Sequence, residues 1–237
     1  MPSLLRTLTA ASTALAVAFS LVACSAAPAT ESTPTTSGPA GAVLPSGSEG
    51  AASFDGGYVR IGDGPKQVDL FIDPMCPYCK AFEEASGSLL FTEAAAGTTT
   101  VRVHPLAILN RLSSGSDYSS RAAATLVAVA ATHPDSTQAF LQALYANQPA
   151  EQTPGLTDAE LSELAASVGA RPTASDEEMA AYRAWVDHET EAATTGPLEG
   201  LADLPAVHQV PTVVVDGAVF PGDSGDVAAF ADFYARH

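Results

Sequence analysis

An apolar run, Gln67 to Ile72 (QVDLFI), is stopped by Asp73-Pro74 and followed at once by Met75-Cys76-Pro77-Tyr78-Cys79-Lys80. This junction constrains the fold more than any other stretch. The run is apolar enough to sit centrally in a sheet. Asp73-Pro74 breaks it. Pro77 suits the first turn of a helix, where its missing N–H would have had no partner. That helix is expected from Cys76 or Pro77 to about Ala95, with Ala81, Phe82, Leu89 and Leu90 among its buried residues. Thr99 to Val103 (TTVRV) reads as the next strand, so the segment is a βαβ unit.

Two of the three cysteines in the 237-residue chain lie at this junction. Three chemistries are open to such a pair. Zinc needs four ligands, yet there is no second CxxC, and His104, His133, His188, His208 and His237 show no His-x3–5-His spacing. No metal set is expected. As a structural staple, a loop of about four residues would contribute only about 2 kcal/mol. Redox exchange uses what the position offers. N–H groups at a helix N-terminus favour the Cys76 thiolate, which stabilises the reduced form and makes the disulfide the better oxidant. Cys79, one turn deeper, is expected to stay protonated by burial and to attack a mixed disulfide on Cys76.

Elsewhere, Tyr58 to Ile61 reads as a strand before a Gly62-Asp63-Gly64-Pro65 turn. From Ser119 to about Gly200 the pattern is helical. Thr157 with Glu160, and Ser175 with Glu178, have capping-box spacing. Pro211 to Val215 (PTVVV) is a late strand, Asp216-Gly217 a hairpin turn, and Asp226 to Arg236 a closing helix. Removing the helical block leaves a βαβ–ββα core.

Met1 to Cys24 has Arg6 and then an uncharged stretch from Leu8 to Ala23. That is long enough for an export signal and short for a membrane span of about 20 residues. Leu21-Val22-Ala23-Cys24 resembles the bacterial lipobox, which implies cleavage before Cys24 and its lipidation. Two or three acyl chains would hold the protein on a membrane, where a single chain would not. Ser25 to about Gly50, rich in Ser, Thr, Pro, Ala and Gly, is expected to be a flexible tether. The expected organisation is a signal peptide over 1–23, a tether over 24–50, a core in two pieces over 51–114 and 205–237, and a helical insertion over 115–204.

A CxxC at the head of a helix that follows a central strand resembles the thioredoxin superfamily. Val210-Pro211-Thr212, about 130 residues on, resembles that family's cis-proline segment, which faces the CxxC. The helical block between the halves narrows the match to the DsbA-like thiol–disulfide oxidoreductases. Val103-His104-Pro105-Leu106-Ala107-Ile108-Leu109 is also similar to a strand and turn of that family. The resemblance covers about Ser53 to His237 and implies an α/β, thioredoxin-like fold with an inserted all-helical domain. It implies catalytic Cys76 and Cys79 as a redox disulfide, supported by Pro77, Tyr78, Val210, Pro211, Thr212 and His208. Met75 stands where thioredoxins have Trp, and Tyr78 where the DsbA prototype has His. Val210 is more like the oxidases than the reductases. The family's buried acid lies six residues before the first cysteine, which here is Leu70. Asp69 would take that role only in another strand register, and Asp73 reads as a strand terminator.

The implied activity is extracytoplasmic oxidation of exported proteins with reduced cysteines, with reoxidation by a membrane quinone-linked partner and no cofactor. A reductase or isomerase using the same site, or a non-catalytic lipoprotein binding module, are the alternatives. Isomerase relatives dimerise through an extra N-terminal domain. Residues 25–50 are too short and polar to be one, so a monomer is expected. The net charge of −17, with 10 Lys and Arg against 27 Asp and Glu, argues against nucleic-acid binding.

Overall fold

The chain, described by a computed structural model over residues 43–198, 200–201 and 204–237, builds seven strands and six α-helices among those residues. Cys24, the expected signal segment and most of the expected tether lie outside them. The strands are β1 (Ser48–Glu49), β2 (Ala52–Ser53), β3 (Tyr58–Ile61), β4 (Lys66–Ile72), β5 (Thr99–Pro105), β6 (Thr212–Val215) and β7 (Ala218–Val219). The helices are α1 (Pro77–Ala95), α2 (Tyr118–Thr132), α3 (Thr137–Ala146), α4 (Asp158–Ser167), α5 (Asp176–Thr195) and α6 (Val227–Arg236). No helix among the described residues is long and apolar enough to cross a membrane.

One sheet has the order β1-β2-β3-β5-β4-β6-β7. β4 runs parallel to β5 and antiparallel to β6. Val68 to Ile72 are all buried, as a central strand requires. Val68, Leu70 and Ile72 enter the main core, while Phe71 joins a second cluster with Leu106, Val207 and Val214. Each such side chain, fully buried, contributes roughly 1.5–3 kcal/mol. Phe71 pairs with Thr212. That register carries Val210 and Pro211 to the end of β4 from which the cysteine loop departs.

The fold class is the expected one: an α/β core whose halves are separated in sequence by α2–α5. α2 is buried on every side except at Arg121 and Thr132, as expected of a helix apolar all round. Both capping boxes form, at Thr157 with Glu160 and at Ser175 with Glu178. Asp216 and Gly217 take positive φ values of 46° and 87° in the hairpin turn.

Two expectations change. Ser48 and Glu49, read as tether, form β1 against Ser53 and Ala52. The intervening turn packs on α2: a Cβ at Gly50 would lie 2.4 Å from the Ala131 carbonyl oxygen, and Ala51 N–H donates to Ala130 O at 2.8 Å. Two-residue polar strands leave no apolar alternation to read. In α1 the buried stripe runs through Phe82, Ser86 and Leu90, so Ala81 and Leu89 flank it and are only half-buried.

Candidate active site

Cys76 is the N-cap of α1 and Pro77 occupies its first turn. The sequence places them there because Asp73 ends the strand pairing and Pro77 cannot supply a ladder N–H. Cys76 is 4% exposed and Cys79 only 1%. Both are free thiols.

The two sulfurs have different surroundings. The Cys79 thiol, and then the backbone N–H groups of Cys79 and Tyr78, pull the Cys76 thiol below its ordinary range against the effect of burial. Burial first, and then the Cys76 sulfur, push the Cys79 thiol well above that range. Cys76 is therefore the more readily ionised thiol, and Cys79 is the one held protonated. In its protonated form Cys76 Sγ donates to the Val210 carbonyl oxygen at 3.3 Å. This ties the first cysteine to the segment before β6.

The Val210–Pro211 peptide bond is cis. Pro211 and Val210 line a groove of about 610 Å³ with Tyr78, Phe82, His208 and Thr212. The β7 end adds Val219, Phe220 and Pro221. Tyr78 is 69% exposed. His208 is exposed on the same wall, and Thr212 Oγ1 donates to Gln209 O at 2.7 Å, bracing the segment. The structure thus brings Cys76, Tyr78, His208, Val210, Pro211 and Thr212 together. Pro77 is at the helix start and exposed; Cys24 is outside the described residues. Lys80 faces Glu84 at 3.7 Å.

The two acids left undecided by the sequence separate cleanly. Asp69 is on the Phe71 side of β4 and pairs with Arg102 and with His104, whose Nε2 lies 2.9 Å away. Burial raises its carboxyl, but those hydrogen bonds outweigh it and hold the group below the usual range. Asp73 is wholly buried beside the cysteines. Its Oδ1 accepts from Met75 N–H at 2.8 Å and Ser119 Oγ at 2.7 Å, and its Oδ2 from Leu109 N–H at 2.8 Å. Burial nevertheless raises it to about 6. The sequence carried one sign of this placement, an acid three residues before the cysteine pair. Its partners, Leu109 and Ser119, are too distant in sequence to be read from it.

The Thioredoxin_4 family model, described as Thioredoxin, matches residues 59–231. The serine/threonine-protein kinase PknE of Mycobacterium tuberculosis is 38% identical over 124 residues, 51% of this chain and 22% of the kinase. The chain thus spans less than a quarter of the curated relatives it matches. Reduced DsbA from M. tuberculosis aligns with a TM-score of 0.55 and 25% identity, covering 76% of this chain and 99% of that one. The reduced disulfide bond oxidoreductase DsbG of the same organism aligns with a TM-score of 0.52 and 25% identity, covering 74% and 91%.

Proposed function

The chain belongs to the thioredoxin family and has the fold of DsbA-type thiol–disulfide oxidoreductases, and from that premise we propose that it is an extracytoplasmic oxidase that introduces disulfides into exported proteins through Cys76. It is an enzyme of thiol–disulfide exchange. The direction of exchange is our reading, and one contrast carries it: the Cys79 thiol, and then the N–H groups at the helix terminus, lower the Cys76 thiol, while burial raises the Cys79 thiol. A favoured Cys76 thiolate stabilises the dithiol and so strengthens the disulfide as an oxidant.

A client thiolate attacks Cys76 Sγ, the Cys76–Cys79 bond breaks, and Cys79 leaves and takes up a proton. A second client thiolate then attacks the client sulfur of the mixed disulfide. The client leaves with a disulfide, and Cys76 and Cys79 hold the two electrons. The groove beside Tyr78 and Pro211 gives an extended client segment an apolar wall. A membrane quinone-linked partner would take the electrons back. Lipidation at Cys24 would hold the protein, as a monomer, on the outer face of the cell membrane.

Equilibration with glutathione buffers tests the direction. A potential near about −120 mV supports the oxidase, and one near about −270 mV overturns it in favour of a reductase. The anchor has its own test. Cys24→Ser is expected to abolish both the lipid mass increment and partitioning into detergent. A variant that keeps both refutes lipidation at Cys24.

A further inference from the structure

We propose that Ser119, carried by the helical block, is a positioning residue that fixes the charge of Asp73 and through it the reactivity of Cys76 and Cys79. The proposal deepens the redox reading above and rests on it.

Asp73 gathers donors from three separate pieces of chain: its own loop at Met75, the turn after β5 at Leu109, and α2 at Ser119. Two of the three are backbone N–H groups. Ser119 Oγ is the side-chain donor among them, and Ser119 is itself wholly buried. An ionised carboxylate only accepts, so three donors favour the charged form of Asp73. Burial acts the other way and favours the neutral acid. The Ser119 hydroxyl, the Leu109 and Met75 N–H groups and the negative charge of Glu151 all bear on this balance.

The Asp73 charge in turn opposes ionisation of both thiols. The phenols that face the same region, Tyr118 and Tyr145, are kept neutral by burial, and Arg121 acts on Tyr118. Carboxylate and Cys76 thiolate thus compete. Without the Ser119 hydroxyl, Asp73 keeps its proton to higher pH, its repulsion weakens, and Cys76 ionises more readily. The dithiol gains stability. Reduction of the Cys76–Cys79 disulfide by two glutathione thiols, which yields the dithiol and one glutathione disulfide, shifts toward the dithiol. The inserted helices therefore tune the active site through one hydroxyl, with no contact between Ser119 and either sulfur required.

The test uses the full chain and Ser119→Ala. The rate of Cys76 alkylation by iodoacetamide is followed against pH, and the pair is equilibrated with glutathione. The variant is expected to show about three-fold more thiolate at pH values below the Cys76 midpoint, and a shift toward the dithiol of the same order. Asp73→Asn should move both readouts in the same direction by about ten-fold. Adding Ser119→Ala to Asp73→Asn should add nothing, because the two act through one group. A merely structural Ser119 would lower the melting temperature and leave the alkylation profile in place. That result, or equal effects of Ser119→Ala with and without Asp73, overturns the proposal. A wild-type pair that fails to equilibrate with glutathione overturns the redox reading instead, and the alkylation profile still decides the role of Ser119.

Discussion

Replacing Cys79 with alanine is expected to leave the protein covalently caught on its clients, with turnover lower by about three orders of magnitude or more. Cys76 can still form a mixed disulfide, since its lowered thiol is the nucleophile. The resolving sulfur one turn deeper is gone. Cys76→Ala is expected to abolish turnover as well but to catch nothing, because the remaining thiol is buried and held protonated. Non-reducing electrophoresis with mass spectrometry of the adducts distinguishes the two. Equal capture by both variants, or labelling of Cys79 ahead of Cys76 in reduced wild type at about pH 6, would reverse the assignment.

The second large effect is a pH dependence of stability carried by Asp73. In the folded reduced protein its carboxyl titrates at about 6, against an ordinary 3.8. A raised acid binds its proton more tightly folded than unfolded. Its contribution is complete below the ordinary value and is lost as pH rises through the folded value. A rise of about two pH units corresponds to roughly 3 kcal/mol. Asp73 is wholly buried, so solvent does not screen it. Urea unfolding of the reduced protein between about pH 4 and pH 8 should show wild type losing roughly 3 kcal/mol that Asp73→Asn does not lose. Asp69 adds nothing in that window. Its carboxyl is lowered, so its contribution is present above the ordinary value and disappears only on further acidification. Parallel curves for wild type and Asp73→Asn would show that the three donors fully offset burial.

The sequence made local features legible where one segment decides the outcome. Pro77 at the head of α1, the capping boxes at Thr157 and Ser175, and the Asp216-Gly217 turn all follow from nearby residue chemistry. The cysteine pair and the Val210-Pro211-Thr212 segment were visible as motifs, and their approach came from the resemblance. What stayed hidden depends on pairing across long stretches of chain. Asp73 looked like a strand terminator because its three donors lie on three segments. Asp69 stayed ambiguous because Arg102 and His104 become its partners only when β5 docks in parallel register. β1 and β2 were missed because each has two residues and no apolar period.

The position of β6 has a temporal consequence. Thr212 pairs with Phe71 across about 140 residues of chain. A polypeptide made from its N-terminus forward presents Cys76 and Cys79 long before Val210 exists to receive the first sulfur. Until then β4 has an open edge, and closing it brings together parts of the chain that meet late and slowly. The segment around Val210 therefore completes the surroundings of Cys76 only after both cysteines have been made. A newborn molecule carries both thiols before the neighbour that receives the first sulfur has been made.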